Sequence, residues 1–412
     1  MKRRVLFLSA LDFKDKSIQV IRKTPEAYAS AGWEVEYIVA RDNCPSGNYY
    51  YEREINPVPI KVRRIYWPFA ELRSKLARAP CLLLSKLASI VVIFRLAMQA
   101  KKVMKESSFD VVYGYELQGV LAMHLLRVAN LLTGVKTISR FQGTFLNEML
   151  RGKQYLRLLF NADLILAIRL RSDLLIMTDD GTQGDQAVKK IKKGSNARWV
   201  FLSNGVDEFE VEEDLIRGLA AKVNPENKTV LLSVSRLVGW KRVDRCLEVC
   251  SRLKGKGFTD FIYIVVGEGD QRKELERRAN ELGLTGLVKF VGAQPNSEVK
   301  NFLAISDFFM SMYDSSNVGN PLLEAIRSNK IVVTINNGDT GKWVRHNVNG
   351  LIYELDDGFF DKAAEDIIRL IRNKNERLEI LNGVGECSRQ LLWTWDQRFL
   401  AELSEISEVL KC

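Results

Sequence analysis

Two cations five residues apart, Arg236 and Lys241, stand where a strand pattern runs into a helix pattern. The stretch Val230–Asp244 reads VLLSVSRLVGWKRVD. Its pattern predicts a strand out to Arg236, a short loop, and Lys241 at the start of the next helix. Such a pair makes an anion site, because backbone N–H groups and the positive end of the helix dipole add to the two charges. A diphosphate leaving group needs that environment, since negative charge develops on it as its bond to a sugar breaks. The competing reading is two solvated surface cations.

Two further stretches end strands in the same half. Val265–Asp270 reads VVGEGD, in which Gly267 and Gly269 flank Glu268 and free the backbone to approach a ligand closely. Many α/β turns look the same, so a purely structural turn competes with that reading. Asp314–Ala325 reads DSSNVGNPLLEA and runs into a helix. Gly319 and Asn320 offer backbone amides at that helix N-terminus. Glu324 lies about one turn further in, where its carboxylate can accept from ribose hydroxyls. The alternative is a carboxylate that merely favours the helix dipole.

The first half offers weaker candidates. Tyr115 and Glu116 follow the strand Val111–Tyr113, and SRFQGTF carries Arg140, Gln142, Gly143 and Thr144. Gln142 cannot serve as a general base at neutral pH. Of two histidines, His124 sits in a leucine-rich helical stretch that suits a core residue, and His346 in a turn. No His, Cys, Asp or Glu cluster has metal-ligand spacing. The expectation is therefore no metal site and no required cofactor, with cations and helix ends neutralising the diphosphate.

The elements that position these residues form two alternating series. In the first half, strands are expected at Arg4–Ser9, Glu34–Ala40, Val111–Tyr113, Lys136–Arg140, Leu164–Ile168 and Trp199–Leu202, with a helix at Ile18–Ala31. Met1–Ala10 has a basic start and a short apolar run, which Asp12 and Lys14 end too early for a signal peptide. The acidic stretch Glu208–Asn227 reads as a connection between domains. Strands follow at Val230–Val234, Phe261–Val266, Val288–Val291, Phe308–Met312 and Ile331–Thr334. Helices start near Lys241, Asp270, Ser297, Asn320 and Asp361, with more helix over Arg372–Asp396. Gln397–Leu410 has the apolar spacing of an amphipathic helix. Alternating strands and helices imply parallel sheets, and doubly wound sheets put function at the carboxyl ends of their strands.

The second half resembles the donor domain of glycosyltransferase family 4, whose fold is GT-B. The resemblance rests on SRLVGWKRVD, VVGEGD, VKFVG, GNPLLEAI and VNGLIYE, with SNGVD and WTWDQ at either side. It implies an α/β protein of two Rossmann-like domains facing each other across a cleft. The expected division is an acceptor-binding domain over 1–206, a nucleotide-sugar domain over 207–390, and a C-terminal helix over 391–412 returning to the first domain. The resemblance further implies a retaining transfer from a UDP- or GDP-linked sugar to a saccharide or lipid-linked acceptor. Domain closure would exclude water. Arg236 and Lys241 would bind the diphosphate and Glu324 the ribose. The Phe290–Gly292 loop would lie against the base, and Gly319 and Asn320 beside the sugar or phosphate. Where the family places a second acid near the donor sugar, this chain has Ser316, and Asp314 is the nearest stand-in. A nucleotide-sugar epimerase on the same architecture and a non-catalytic binding protein are the rival readings.

Composition bounds the partners. The 412 residues carry a net charge of +10. Residues 1–200 hold +15 and the remainder −5. Residues 61–105 alone contain eleven Lys/Arg and one acid, Glu71. Six cysteines without a C-x-x-C pair suit free thiols in a reducing cytosol. No nucleic-acid module accompanies the basic segment. Its cations, interleaved with Trp67, Phe69 and leucines, suit an anionic membrane surface. The longest clean apolar run, Leu87–Phe94, is too short to span a bilayer. The expectation is a cytoplasmic protein, peripheral at the membrane's cytoplasmic face.

Overall fold

Arg4–Ser9 forms β1, buried along all but its first residue. A strand apolar on both faces belongs inside a parallel sheet covered on both sides. The computed structural model describes residues 2–14, 20–44, 53–194, 197–224, 226–315 and 317–411. The chain divides into two compact units. Unit one comprises Met1–Asp179, Gly184–Asn204 and Trp395–Cys412; unit two comprises Asp180–Gln183 and Gly205–Thr394.

In unit one β1 leads to α1 (Val20–Ser30), β2 (Glu34–Arg41), β3 (Lys61–Tyr66), α2 (Ala70–Lys75) and α3 (Arg78–Glu106). Then come β4 (Val111–Tyr115), α4 (Glu116–Val128), β5 (Lys136–Phe141), α5 (Leu146–Arg151), α6 (Tyr155–Phe160) and α7 (Ala162–Arg169). The series closes with β6 (Leu174–Asp179), α8 (Gly184–Ile191) and β7 (Trp199–Ser203). The strands are parallel in the order β3-β2-β1-β4-β5-β6-β7, so the winding reverses between β1 and β4. Gly119 lets α4 lie directly on β1: a Cβ there would fall 2.0 Å from the Leu8 carbonyl oxygen.

Unit two repeats the plan. Its elements are α9 (Glu213–Val223), β8 (Thr229–Val234), α10 (Val243–Gly255), β9 (Phe261–Val266), α11 (Arg272–Glu281) and β10 (Val288–Gly292). They continue as α12 (Asn296–Ile305), β11 (Phe308–Ser311), α13 (Asn320–Arg327), β12 (Ile331–Ile335), α14 (Thr340–Trp343) and β13 (Gly350–Tyr353). α15 (Phe359–Arg372) and α16 (Lys374–Leu391) complete it. The parallel order β10-β9-β8-β11-β12-β13 reverses between β8 and β11. A ligand site is expected beyond the carboxyl ends of strands at such a reversal.

The last helix, α17 (Trp395–Lys411), belongs to unit one. It carries Arg398 and Glu402 into the core. The Glu402 carboxylate accepts from Tyr113 Oη at 2.9 Å, Tyr28 Oη at 3.2 Å, Arg140 Nη1 at 3.0 Å, and Arg398. Burial opposes its charge, yet Arg398 and Arg140 prevail and hold its carboxyl below the usual range.

Several elements differ from the sequence reading. Leu164–Ile168 is not a strand but the middle of α7, which turns Ala167 and Ile168 inward and leaves Leu166 exposed. The strand is β6, ten residues further on and buried throughout. Glu208–Asn227 is not a bare connection, because it contains α9. The edge strand β3 escaped notice because it reads KVRRIY. Its cations, with others of residues 61–105, are paired within the fold. Arg63 meets Glu36 and Glu106, Arg64 meets Asp12, Arg73 meets Asp42, and Lys86 meets Asp163. Much of that segment's charge is therefore neutralised by acids from elsewhere in the chain. The expected helix Ile18–Ala31 falls partly outside the described residues, which show it from Val20.

Candidate functional site

Arg236 and Lys241 lie beyond the carboxyl end of β8, at the reversal of unit two's sheet. Lys241 does not begin the helix, as its spacing suggested. It ends a single 3-10 turn, Gly239–Lys241, and α10 starts at Val243 after Arg242 takes a left-handed conformation with φ 48°. The turn lays the ammonium on two rings, 3.6 Å from the Tyr313 centroid and 4.1 Å from that of Trp240. Those rings meet edge to face at 6.0 Å, and Asp314 N donates to the Trp240 carbonyl at 3.0 Å. An ammonium over aromatic faces keeps some favourable electrostatics while losing water. Burial pushes the Lys241 pKa down to about 7; Arg236 acts in the same direction and Asp180 against it. The Arg236 side chain is exposed.

The next loop is stitched to this one. Ser235 N donates to the Val266 carbonyl at 3.0 Å and Leu237 N to the Glu268 carbonyl at 2.9 Å. Gly267, with φ 145°, has no room for a Cβ, which would fall 1.8 Å from the Ser235 carbonyl oxygen. At Gly269 the corresponding approach to Leu237 is 2.2 Å. The backbone these glycines admit is the chain's own. Arg272 gathers the remaining donor candidates here. It pairs with Glu268, donates to the Phe290 carbonyl at 3.2 Å and stands 5.9 Å from that ring's centroid. Gly292 accepts from Gly267 N at 2.9 Å.

The loop after β11 is pinned by Asn317, which the sequence reading overlooked. Fully buried, it accepts from Ser311 Oγ at 2.8 Å and donates to Thr334 Oγ1 at 2.9 Å. Gly319 caps α13, with Pro in its first turn. Asp314 is not a free stand-in acid: Arg245 holds it at 2.8 Å and Arg242 at 3.2 Å. Ser316 lies outside the described residues. Glu324, half-buried on α13, has Asn296 Nδ2 at 3.5 Å. Burial pushes its pKa up to about 7, against the Asn296 hydrogen bond. Unit two thus holds a lysine and a glutamate whose burial drives both toward the neutral form at pH 7.

Asp180–Gln183 was also overlooked, although Asp179–Thr182 reads DDGT, a turn signal. Gly181 accepts from Asp339 N at 3.1 Å, and Gly338 approaches so closely that a Cβ would fall 1.8 Å from the Gly181 oxygen. The negative charge of Asp180 opposes the fall of the Lys241 pKa.

In unit one, Tyr115, Glu116 and Gln142 meet at the ends of β4 and β5. Tyr115 Oη donates to Gln142 Oε1, and Glu116 Oε1 accepts from Gln142 N. Gly143 follows with φ 119°, and buried Thr144 accepts from Leu146 N at 3.3 Å. Arg140 does not join them as an acceptor contact. It is wholly buried and faces Glu402, Thr24 and Thr178 in the core. His124 is buried, and its pKa falls to about 4 through burial, then Arg127 and Lys192. His346 Nδ1 accepts from Ile352 N at 3.3 Å.

Residues 219–382 match the family model described as glycosyl transferases group 1. The chain is 29% identical over 177 residues to the lipopolysaccharide core biosynthesis glycosyltransferase LpsE of Rhizobium meliloti (strain 1021), covering 41% of this chain and 48% of that protein. It is 32% identical over 157 residues to the amylovoran biosynthesis glycosyltransferase AmsK of Erwinia amylovora, covering 37% of this chain and 38% of that one. The matched stretch spans less than half the length of either relative. The fold is similar to Anabaena Alr3699/HepE solved in complex with UDP, with a TM-score of 0.66 and 17% identity over 100% of both chains. It is also similar to WaaG, a glycosyltransferase involved in lipopolysaccharide biosynthesis, with a TM-score of 0.68 and 16% identity over 98% of both. Two parallel, doubly wound sheets give the chain the GT-B fold of these structures, and within the second unit its sequence is similar to the group 1 glycosyl transferases.

Proposed function

We propose that the protein transfers a sugar from a UDP- or GDP-linked donor to a saccharide or lipid-linked acceptor, in the synthesis of surface polysaccharide or glycolipid, with retention of anomeric configuration. The observation that carries the reading is Lys241 seated on Tyr313 and Trp240 beside Arg236 at unit two's sheet reversal. A diphosphate arriving there restores the ammonium's charge and supplies its counter-ion. As the glycosidic bond breaks, negative charge grows on the leaving phosphate, and preformed cations favour that state over the bound donor. The solved neighbour HepE, in complex with UDP and with UDP-glucose, supports a nucleotide-sugar donor.

Glu324 takes the ribose hydroxyls, the loop Phe290–Gly292 the base, and Gly319 and Asn320 the sugar or phosphate. Tyr115, Glu116, Gln142, Gly143 and Thr144 on unit one contact the acceptor. The protein works at the cytoplasmic side of the membrane, where nucleotide sugars are made. The transfer requires no cofactor beyond the nucleotide sugar.

The test is nucleotide release from a panel of UDP- and GDP-sugars, with and without a lipid or cell-envelope acceptor extract. Acceptor-dependent release that disappears in Lys241→Ala/Arg236→Ala supports transfer. Sugar interconversion without release would instead identify an epimerase, and binding without either a non-catalytic protein.

A further inference from the structure

Leu170–Asp173, the chain between α7 and β6, is held by cations from two other elements. Lys192, just after α8, donates to the Leu170 carbonyl at 3.1 Å, and Arg127 on α4 donates to the Arg171 carbonyl. Leu170 is the C-cap of α7, so capping that helix end accounts for one N–H of each cation. The segment leads into β6 beside Thr137, which stands near the start of β5. The cluster therefore lies at the amino-terminal ends of these strands, whereas Tyr115 and Gln142 follow the carboxyl ends of β4 and β5.

Capping leaves three groups unspent. The Lys192 ammonium has three N–H donors and, among the described residues, no carboxylate partner, although the residue is 7% exposed. Ser172 is 4% exposed, and its hydroxyl has no hydrogen-bond partner among the described residues. His124, one turn before Arg127 on α4 and 8% exposed, has none for Nε2. It stands near both cations: burial first, then the charges of Arg127 and Lys192, hold its pKa down at about 4. The adjoining acid is already engaged. Asp173 accepts from Thr137 N at 2.8 Å, Thr137 Oγ1 at 2.6 Å and Arg127 Nη2 at 3.4 Å. Exposed Arg169, Arg171 and Lys193 add positive charge on the same stretches of chain. Buried polar groups without protein partners are met by water or an ion. Water would serve the hydroxyl and the imidazole but leave Lys192 without a counter-charge; an anion supplies both.

We propose that Lys192, Arg127, Ser172 and His124 form a binding site for inorganic phosphate, separate from the transfer site. A tetrahedral oxyanion accepts from the ammonium, the hydroxyl and the imidazole Nε2–H at once, and charge-assisted bonds to phosphate oxygens are the strong ones. The three side chains are too enclosed to admit the chain of a phosphate ester, which selects the free ion. The site does not depend on the transfer reading.

The test is titration of the full chain with inorganic phosphate, followed by imidazole NMR. The sequence has two histidines, and His346, in unit two, is the internal control. Phosphate should shift the His124 resonances saturably and raise their titration midpoint by about one pH unit, so that the protonated form binds phosphate about tenfold tighter. His346 should not move. Lys192→Met should weaken phosphate binding about tenfold or more, and Ser172→Ala about threefold to tenfold. Ser172→Ala removes a hydroxyl without a partner, so it should fold like wild type and bind nucleotide sugar unchanged, which keeps the test valid if Lys192→Met does not fold. An unresponsive His124, the same shift from chloride at equal ionic strength, or Ser172→Ala that binds phosphate like wild type would overturn the proposal and leave these groups to water. A stronger response to glycerol 1-phosphate than to inorganic phosphate would overturn the free ion as the ligand.

Discussion

Donor binding should follow a bell-shaped pH profile with its maximum near pH 7, because two groups of opposite kind are poised there. Lys241 has its pKa pushed down to about 7 and Glu324 pushed up to about 7, each chiefly by burial. A bound diphosphate favours the charged lysine and raises its pKa; ribose hydroxyls donating to the carboxylate lower that of Glu324. Above pH 7 the free lysine loses its proton, so binding must recover one, and affinity falls by up to tenfold per pH unit. The charged fraction of free Lys241 drops from about one-half at pH 7 to about one-hundredth at pH 9. If the bound lysine titrates above 9, affinity falls about 50-fold over that range, or about 2.3 kcal/mol. Below pH 7 Glu324 must release a proton to bind, which produces a mirror-image loss. The assay is isothermal titration of a UDP- or GDP-sugar from pH 5 to 9, because such a diester diphosphate has no proton titrating in that range. Buffers of differing ionisation enthalpy count protons, with uptake expected at pH 8 and release at pH 6. Lys241→Arg should flatten the alkaline limb and Glu324→Gln the acid limb. A wild-type profile flat from pH 7 to 9, or an alkaline limb unchanged in Lys241→Arg, would refute the assignment of the diphosphate to Lys241.

Other outcomes follow from the same contacts. Lys241→Ala and Arg236→Ala should each weaken nucleotide-diphosphate binding by about 1.5–3 kcal/mol and abolish turnover, with the circular dichroism spectrum unchanged. Glu324→Gln should raise the melting temperature at pH 8 but not at pH 4. The raised carboxyl pKa means that native Glu324 binds the extra proton between about 4.5 and 7, so stability falls with rising pH in that window and Gln is spared the loss. Glu402→Gln should cost about 3–5 kcal/mol in urea unfolding, because it strands the buried guanidiniums of Arg140 and Arg398 without a counter-charge.

The sheets were largely legible in the sequence, because inner parallel strands such as β1, β8 and β9 are continuous apolar runs. The failures have physical causes. ADLILAIR and LLIMTD are both short apolar runs, and periodicity alone cannot tell a buried strand from a helix that packs one side. β3 reads as a charged loop because the acids that pair its arginines, Glu36 and Asp12, come from elsewhere in the chain. The same limit governed the site. Arg236, Lys241 and Glu324 announced themselves by type and position beside strand ends. The rings beneath Lys241 did not, since Tyr313 arrives from β11's loop. Arg140 looked like a site residue because it ends a strand, and its true partner stands 262 residues later. Asn317 gave no signal: its hydrogen bonds to Ser311 and Thr334 exist only once β11 and β12 lie side by side.

Because α17 supplies Glu402 to unit one, the first half of the chain is the last to be finished during synthesis. Arg140, Tyr28 and Tyr113 emerge from the ribosome long before the carboxylate that they surround. Until Trp395–Lys411 follows, unit one holds a cation with no counter-charge in a place that water is meant to leave. Unit two, by contrast, has all its strands before α17 is made. A nascent chain arrested before Trp395 should therefore carry a completed second unit and a first unit still open to proteases. That is the reverse of the usual vectorial order, in which the N-terminal domain folds first.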